Sequence, residues 1–302
     1  MKISILTPSY NRAELIKPAI ESVLAQKYTN FEHIVIDGAS TDGTLELLSS
    51  YPNLRIFSEL DHGMYDALNK GLDLAQGQII GLLNTDDIYE AGIFDEVVET
   101  FDRHSQADVV IGRALVFEDV DHAVVDEYPP LTAETLLDQL LLGVPSINAW
   151  FFRRDVFDRV GRFDQTFAIG ADRDFLIRLY LAGFKPIFME KVYCRYRRHA
   201  ESLTINPEMD SKLRVFNENL RLARKYIGVA QPHSIFSQKC LQWHDLTSIE
   251  LLILLLRQKR IQASFQVVRS AIQYNPKWLL LIAMQSPVRI KNYLKKNYAP
   301  NR

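Results

Sequence analysis

The chain has 302 residues, with 35 Lys+Arg against 37 Asp+Glu, 47% hydrophobic and 24% charged residues, 13 Gly and 12 Pro. These values exclude collagen-like, low-complexity and intrinsically disordered chains, and a chain of this length buries enough surface to fold without a disulfide or metal staple. The net charge of −2 hides a split: residues 251–302 hold ten basic residues and no acid, which leaves 25 basic against 37 acidic residues in 1–250. Such asymmetry points to an anionic partner for the basic segment.

Cys194 and Cys240 stand apart, with no CxxC or histidine spacing around them, and read as reduced thiols without a metal or redox role. The apolar part of the opening MKISILTPSYNR is too short for a signal sequence. The longest apolar runs, Leu251–Leu256 and Trp278–Met284, fall far below the ~20 residues that span a bilayer. The expectation is a cytoplasmic protein, at most peripheral on the inner face of the plasma membrane.

Short β-like runs alternate with helix-like runs through the first half. Strands are predicted at Lys2–Thr7, Phe31–Asp37, Leu54–Phe57 and Gln78–Leu83, with helices at Ala13–Gln26, Thr44–Ser50 and Met64–Ala75. The continuous apolar run Ile79-Ile-Gly-Leu-Leu83 suits a parallel sheet covered on both faces. This is a doubly wound α/β pattern, in which polar residues at the C-terminal strand ends face a ligand. Further on, Val109–Phe117 and Ala123–Glu127 read as paired strands with a turn at Glu118–His122. A helix at Ala133–Leu142, a strand at Ala149–Arg153, a helix at Asp172–Ala182, and separate strands at Pro186–Met189 and Val192–Arg197 follow. Beyond about Asn206 the pattern is helical, and Ser248–Gln273 reads as one amphipathic helix with Leu251, Leu252, Leu255 and Ile261 on one side.

The strongest chemical signal is Asn84-Thr85-Asp86-Asp87, directly after the fourth strand. Adjacent carboxylates repel unless a positive charge sits beside them, and a hard divalent cation shared with substrate phosphates resolves the conflict. The alternative is that one aspartate caps a helix starting near Ala91. Asp37 at the end of the second strand is placed to accept hydrogen bonds from a nucleotide, or to make an Asp-Gly turn. No G-x-G-x-x-G follows the first strand, which disfavours a dinucleotide cofactor.

Four segments, Thr-Pro-Ser-Tyr-Asn-Arg (7–12), Val-Ile-Asp-Gly-Ala-Ser-Thr-Asp-Gly-Thr (35–44), Asp61-His-Gly-Met-Tyr-Asp-Ala-Leu-Asn-Lys-Gly71 and Leu-Asn-Thr-Asp-Asp (83–87), resemble in order and spacing the nucleotide-sugar half of a family 2 glycosyltransferase of GT-A fold. Gly161-Arg-Phe-Asp164, Gly170-Ala-Asp-Arg-Asp174 with Arg178-Leu179, and Tyr196-Arg-Arg-His199 resemble its acceptor half. The resemblance covers about residues 1–204.

The resemblance implies a Rossmann-like nucleotide-binding sheet with a smaller acceptor-side sheet in a catalytic domain at 1–205, split into a nucleotide-sugar half (1–105) and an acceptor half (106–205). A helical basic region at 206–302 follows. It implies that Pro8, Tyr10, Arg12, Asp37, Asp61 and Asp86 bind the nucleotide-sugar, with Asp37 at the base edge and Asp86 near the ribose. Asp87, with His199, would hold Mg²⁺ or Mn²⁺, and Asp172 would be the catalytic base. A lone histidine among arginines otherwise reads as a solvated surface residue. Asn84 stands where many relatives have the first acid of D-x-D, and Ala171 replaces a common Glu, as in a colanic-acid-type branch.

Helix spacing supports Asp172 over Asp174. The stripe Phe175, Leu176, Leu179 places Asp172 on the packed side, while Asp174 lies four before Arg178, the spacing of a surface ion pair. The expected activity is inverting transfer from a nucleotide-sugar, a UDP-sugar ahead of a GDP- or dTDP-sugar, to a hydroxyl of a lipid-linked or polysaccharide acceptor. The rival readings are a nucleotidyltransferase and a non-catalytic membrane-bound scaffold. Residues 251–302 suit an anionic membrane surface or simply pack on a neighbour, and no nucleic-acid-binding module is recognisable.

Overall fold

The structure is a computed structural model and describes residues 1–118, 123–143, 146–199 and 209–284. The turn expected through 119–122 and the continuation expected over 288–298 lie outside the described residues.

Strand β1 (Ile3–Ser9) is buried along its whole length, as an apolar run in a two-sided sheet must be. It lies between β2 (Phe31–Asp37) and β4 (Ile79–Leu82), with β3 (Leu54–Ser58) outside β2, and all four are parallel. Helices α1 (Ile16–Leu24), α2 (Thr44–Ser49) and α3 (Met64–Leu74) connect them. In α1 the buried residues Ile16, Ala19, Ile20 and Val23 recur at helical spacing. That helix starts at Ile16 rather than Ala13 because the chain first turns through left-handed Asn11 (φ 51°). The N–H groups of Arg12 and Ala13 then donate to the side chains of Thr44 (2.8 Å) and Asp42 (3.1 Å).

After β4 the chain makes the two-residue strand β5 (Ile88–Tyr89) and helix α4 (Ile93–Arg103). It continues through β6 (Val109–Glu118), β7 (Val124–Glu127), α5 (Leu136–Leu142), a 3₁₀ turn at Ile147–Ala149 and β8 (Trp150–Arg153). Helices α6 (Asp155–Val160) and α7 (Ala171–Leu181) precede β9 (Pro186–Arg198). The sheet order is β3-β2-β1-β4-β8-β6-β9-β5, with β7 paired to β6. It is a mixed sheet, because β8 runs antiparallel to β4 and β6 while β6 and β9 are parallel. The two strands expected over 186–197 are one. The register against β6 shifts around Arg113, and that irregularity absorbs the break seen in the sequence pattern. A Cβ on Gly112 would stand 2.1 Å from the Tyr193 ring, so this close approach requires glycine.

The chain forms two compact units, Met1–Ala133 with Pro145–Arg198, and Glu134–Val144 with His199–Arg302. The second contains α5, α8 (Met209–Val229), α9 (Ile235–Arg257), α10 (Ile261–Tyr274) and α11 (Trp278–Met284). Lys239 on α9 pairs with Asp138 on α5 at 2.7 Å. The single helix expected over 248–273 is two, α9 and α10. Arg260 N–H bonds to Leu255 C=O (2.9 Å) and Lys259 N–H to Leu256 C=O (3.0 Å), which ends α9 in a left-handed turn at Lys259 (φ 57°). Leu251 and Leu255 form a core with Leu213, Leu220 and Leu254. These leucines therefore face protein. Among the described residues no helix is long and apolar enough to cross a membrane. Both cysteines are free and buried.

Candidate active site

Parallel pairing of β1 and β2 sets Ser9 opposite Asp37, so the loops after both strands share one rim. They are knitted together by their own motif residues. Asn11 N–H donates to Ser40 Oγ (2.8 Å), and Asn11 Oδ1 accepts from Thr41 N–H (2.9 Å). Asp37 is fully buried, and its Oδ2 accepts from Ser40 N–H (2.9 Å) and Ser58 Oγ (2.8 Å). Oδ1 accepts from Ser40 Oγ. Asp37 thus orders its own loop. Asp61 packs on the same loop, since a Cβ on Gly38 would stand 2.6 Å from its Oδ2. Pro8 is buried, Arg12 half-buried and Tyr10 exposed, which leaves an aromatic face open at the strand end.

At the end of β4 the two aspartates have different environments. Asp86 is half-buried and Asp87 fully buried. Asp87 Oδ1 accepts from Arg197 N–H (3.0 Å) on β9, and Oδ2 accepts from Asn148 Nδ2 in the 3₁₀ turn. Arg197 Nε also donates to the Asp86 carbonyl (3.0 Å). Burial, then the neighbouring Asp86 charge, pushes the Asp87 carboxyl well above the usual carboxylate range, against the pull of Arg197 and Asn148. The helix-cap alternative fails, because β5 intervenes and α4 begins after Gly92.

Asp172 in the first turn of α7 is half-buried and lines a cavity of about 30 Å³ with Tyr65, Asn84, Asn148 and Phe163. Its Oδ1 accepts from Arg173 N–H (2.6 Å), and burial raises its carboxyl against the opposing Arg173 and Tyr65 groups. The expected surface pair of Asp174 with Arg178 is instead interior. Asp174 is fully buried, its Oδ2 lies 2.8 Å from Arg178 Nε, and Arg178 also donates to the Val160 (2.5 Å) and Arg162 (2.6 Å) carbonyls. The helix face reading inverted because the 160–163 segment covers α7 on the Asp174 side.

Three residues escaped the sequence reading. Asn148 bonds Asp87 and lines the Asp172 cavity, while its Oδ1 is buried with no partner among the described residues. Tyr65 donates to the Ile169 carbonyl (2.6 Å) just before α7. Ser9 Oγ, beside Asp37, is likewise buried without a partner among the described residues. Only the position of Ser9 in the first motif could have flagged it. Asn148 has no local signature.

Asp86, Asp87 and the Asn148 carbonyl are hard oxygen donors, the type that Mg²⁺ or Mn²⁺ accepts. Among the described residues no group of three or more His, Cys, Asp or Glu side chains is placed to hold a metal by itself. The donors therefore fit a cation that takes its remaining ligands from substrate phosphates and water. His199 follows β9 and falls in the second compact unit.

The profile described as Glycosyl transferase family 2 matches residues 4–161, more than half of the chain. A PGL/p-HBAD biosynthesis glycosyltransferase of Mycobacterium bovis is 32% identical over 184 residues, 59% of this chain and 69% of that protein. S. aureus TarS 1-349, solved in complex with UDP-GlcNAc, superposes with a TM-score of 0.63 at 19% identity, covering 92% of this chain and 82% of that one. The mannosyltransferase PcManGT from Pyrobaculum calidifontis, solved with GDP-Man and Mn2+, superposes at 0.58 and 19% identity over 99% and 88% of the two chains. The ordered strand-end motifs, the mixed GT-A-like sheet and these likenesses converge, and the chain belongs to glycosyl transferase family 2.

Proposed function

We propose that residues 1–205 form the catalytic domain of an inverting glycosyltransferase that moves a sugar from a nucleotide-sugar to a hydroxyl of a lipid-linked or polysaccharide acceptor. The observation that carries this reading is the link through Asn148, which bonds Asp87 at the diphosphate end and lines the cavity of Asp172. In this reading Pro8, Tyr10, Arg12, Asp37 and Asp61 hold the nucleotide, with Tyr10 offering its exposed ring to the base. Asp86 stands near the ribose, and Asp87 would hold a divalent cation, which when bound offsets the charge of the leaving diphosphate. Asp172, its carboxyl raised by burial, takes the acceptor proton as the hydroxyl oxygen attacks the anomeric carbon. The bond from that carbon to the diphosphate oxygen breaks on the opposite face, and the electron pair leaves with the diphosphate. Asp172 is the one carboxylate among the cavity's lining residues, which supports single displacement over a covalent glycosyl intermediate.

The UDP-GlcNAc complex of TarS supports a UDP-sugar, against the GDP-Man of PcManGT. Ala171 before the base supports the colanic-acid-type branch. The acid-free segment 251–302 supports a lipid-linked acceptor, because it would keep the enzyme at an anionic membrane surface. Calorimetry of UDP with Mn²⁺, repeated with EDTA, tests the donor site. Binding is expected to weaken tenfold or more on chelation, on the order of 1.4 kcal/mol. Asp87→Ala is expected to abolish the dependence on metal, and retained dependence would remove Asp87 from the site.

A further inference from the structure

The turn between α9 and α10 exposes three large apolar side chains within ten residues: Leu256 at 49%, Ile261 at 54% and Phe265 at 71%. Ile261 and Phe265 are four apart on α10 and share a face. Arg257, Lys259 and Arg260, all exposed, stand between the first two of these. Backbone geometry sharpens the case. Lys259 occupies the left-handed position that ends α9, where glycine is the ordinary residue and a side chain costs about 1 kcal/mol. The turn thus carries a basic side chain at a position where glycine is ordinary.

We infer that this turn, Leu256 to Phe265, docks on an anionic membrane surface. Ile261 and Phe265 enter the headgroup and acyl boundary, and Arg257, Lys259 and Arg260 meet lipid phosphates. Charge selects this occupant. The chain's own 285–302 segment holds five basic residues and no acid, so it is repelled by the turn, as is the same turn of a second copy. Exposed aliphatic side chains beside the arginines favour lipid over nucleic acid, whose stacked bases offer them no apolar layer. The inference deepens the membrane-surface part of the reading above, and its test requires no glycosyl transfer.

The test is flotation of the full chain with vesicles of phosphatidylcholine alone or mixed with phosphatidylserine, at low and high salt. Wild type is expected on the mixed vesicles only, with recovery falling as salt rises. Each basic side chain near the surface contributes about fivefold, so Arg257→Gln, Lys259→Gln and Arg260→Gln together are expected to weaken binding by roughly 10²-fold. Ile261→Ser with Phe265→Ser is expected to weaken it by roughly tenfold or more, at little cost in stability because both side chains are exposed. Lys259→Gly separates charge from folding: binding is expected to fall about fivefold while the melting temperature rises by roughly 2 °C. Binding of all three variants at the wild-type level would overturn the assignment of this turn while leaving membrane association by another part of 251–302 in place. Absence of wild-type binding, or equal recovery on both vesicles without a salt effect, would overturn both. Salt-sensitive self-association in the ultracentrifuge without flotation would instead make the acidic surface of another copy the occupant.

Discussion

Asp172 and Asp174, two positions apart on α7, have opposite environments. Asp172 faces a cavity, where a carboxylate can meet substrate, and Asp174 is buried against Arg178, where it can only hold structure. Asp172→Asn keeps size and hydrogen-bonding capacity while removing the proposed proton acceptor. Transfer is expected to fall by roughly 10²–10⁴-fold with the melting temperature unchanged. Asp174→Asn leaves the Arg178 charge without its carboxylate. A cost of about 2–3 kcal/mol is expected, below the ~3–5 of a pair with both partners fully buried, because Arg178 keeps some access to water. A transfer assay beside thermal melts of both variants separates these roles. Lost stability in Asp172→Asn, with activity falling only in proportion, would make Asp172 a helix-capping residue instead.

Helix α3 acts as the brace for the segment leading into α7. Asn69 grips the Phe163 backbone from both sides, donating to its C=O (2.9 Å) and accepting from its N–H (3.1 Å). Tyr65, one turn earlier, holds the Ile169 carbonyl. Phe163 in turn packs into an aromatic cluster with Phe157 and Phe175, at centroid distances of 6.2 and 5.0 Å. Asn69→Ala would leave two buried backbone groups unpaired, at a cost of about 2–4 kcal/mol. Arg162→Ala, which removes an exposed pair with Asp73, is expected to cost less than about 1 kcal/mol. Urea denaturation of the two variants checks the contrast. Equal effects would mean that the brace is electrostatic rather than a backbone clasp.

At the scale of the whole molecule, His33 in the sheet core is an ionisable group whose behaviour follows from complete burial. His33 on β2 has its Nε2 2.9 Å from Thr7 Oγ1 on β1, and burial lowers its pKa from 6.5 to about 3. The unfolded chain takes up a proton below about pH 6.5, whereas the folded chain does not until near 3. The contribution of neutral His33 is therefore complete above pH 6.5 and is lost as pH falls toward 3, by up to ~1.4 kcal/mol per pH unit. Urea midpoints at pH 7, 5 and 4 are expected to fall more steeply for wild type than for His33→Gln. Parallel curves would show that other groups set the acid limit.

Much of the first sheet was legible because buried parallel strands read as unbroken apolar runs, and because each polar motif sits at a strand's C-terminal end. The pairing of the 7–12 and 35–44 motifs follows from that order alone, since adjacent parallel strands place their loops side by side. Sequence also fixed the acid-free character of 251–302, which composition states without any fold. Tertiary structure decided what depends on distant partners. Asp87 is buried by Asn148 and Arg197, 61 and 110 positions away. Asp174 rather than Asp172 is interior because the segment at 160–163 lies over that face of α7, and helix spacing cannot say which face a distant segment will cover. The single strand over 186–198 likewise depends on its long partner β6, whose register shift at Arg113 carries it through a stretch that looks interrupted by itself. In each case a side chain's environment is set by the neighbour that excludes water from it, and that neighbour is chosen by chain topology.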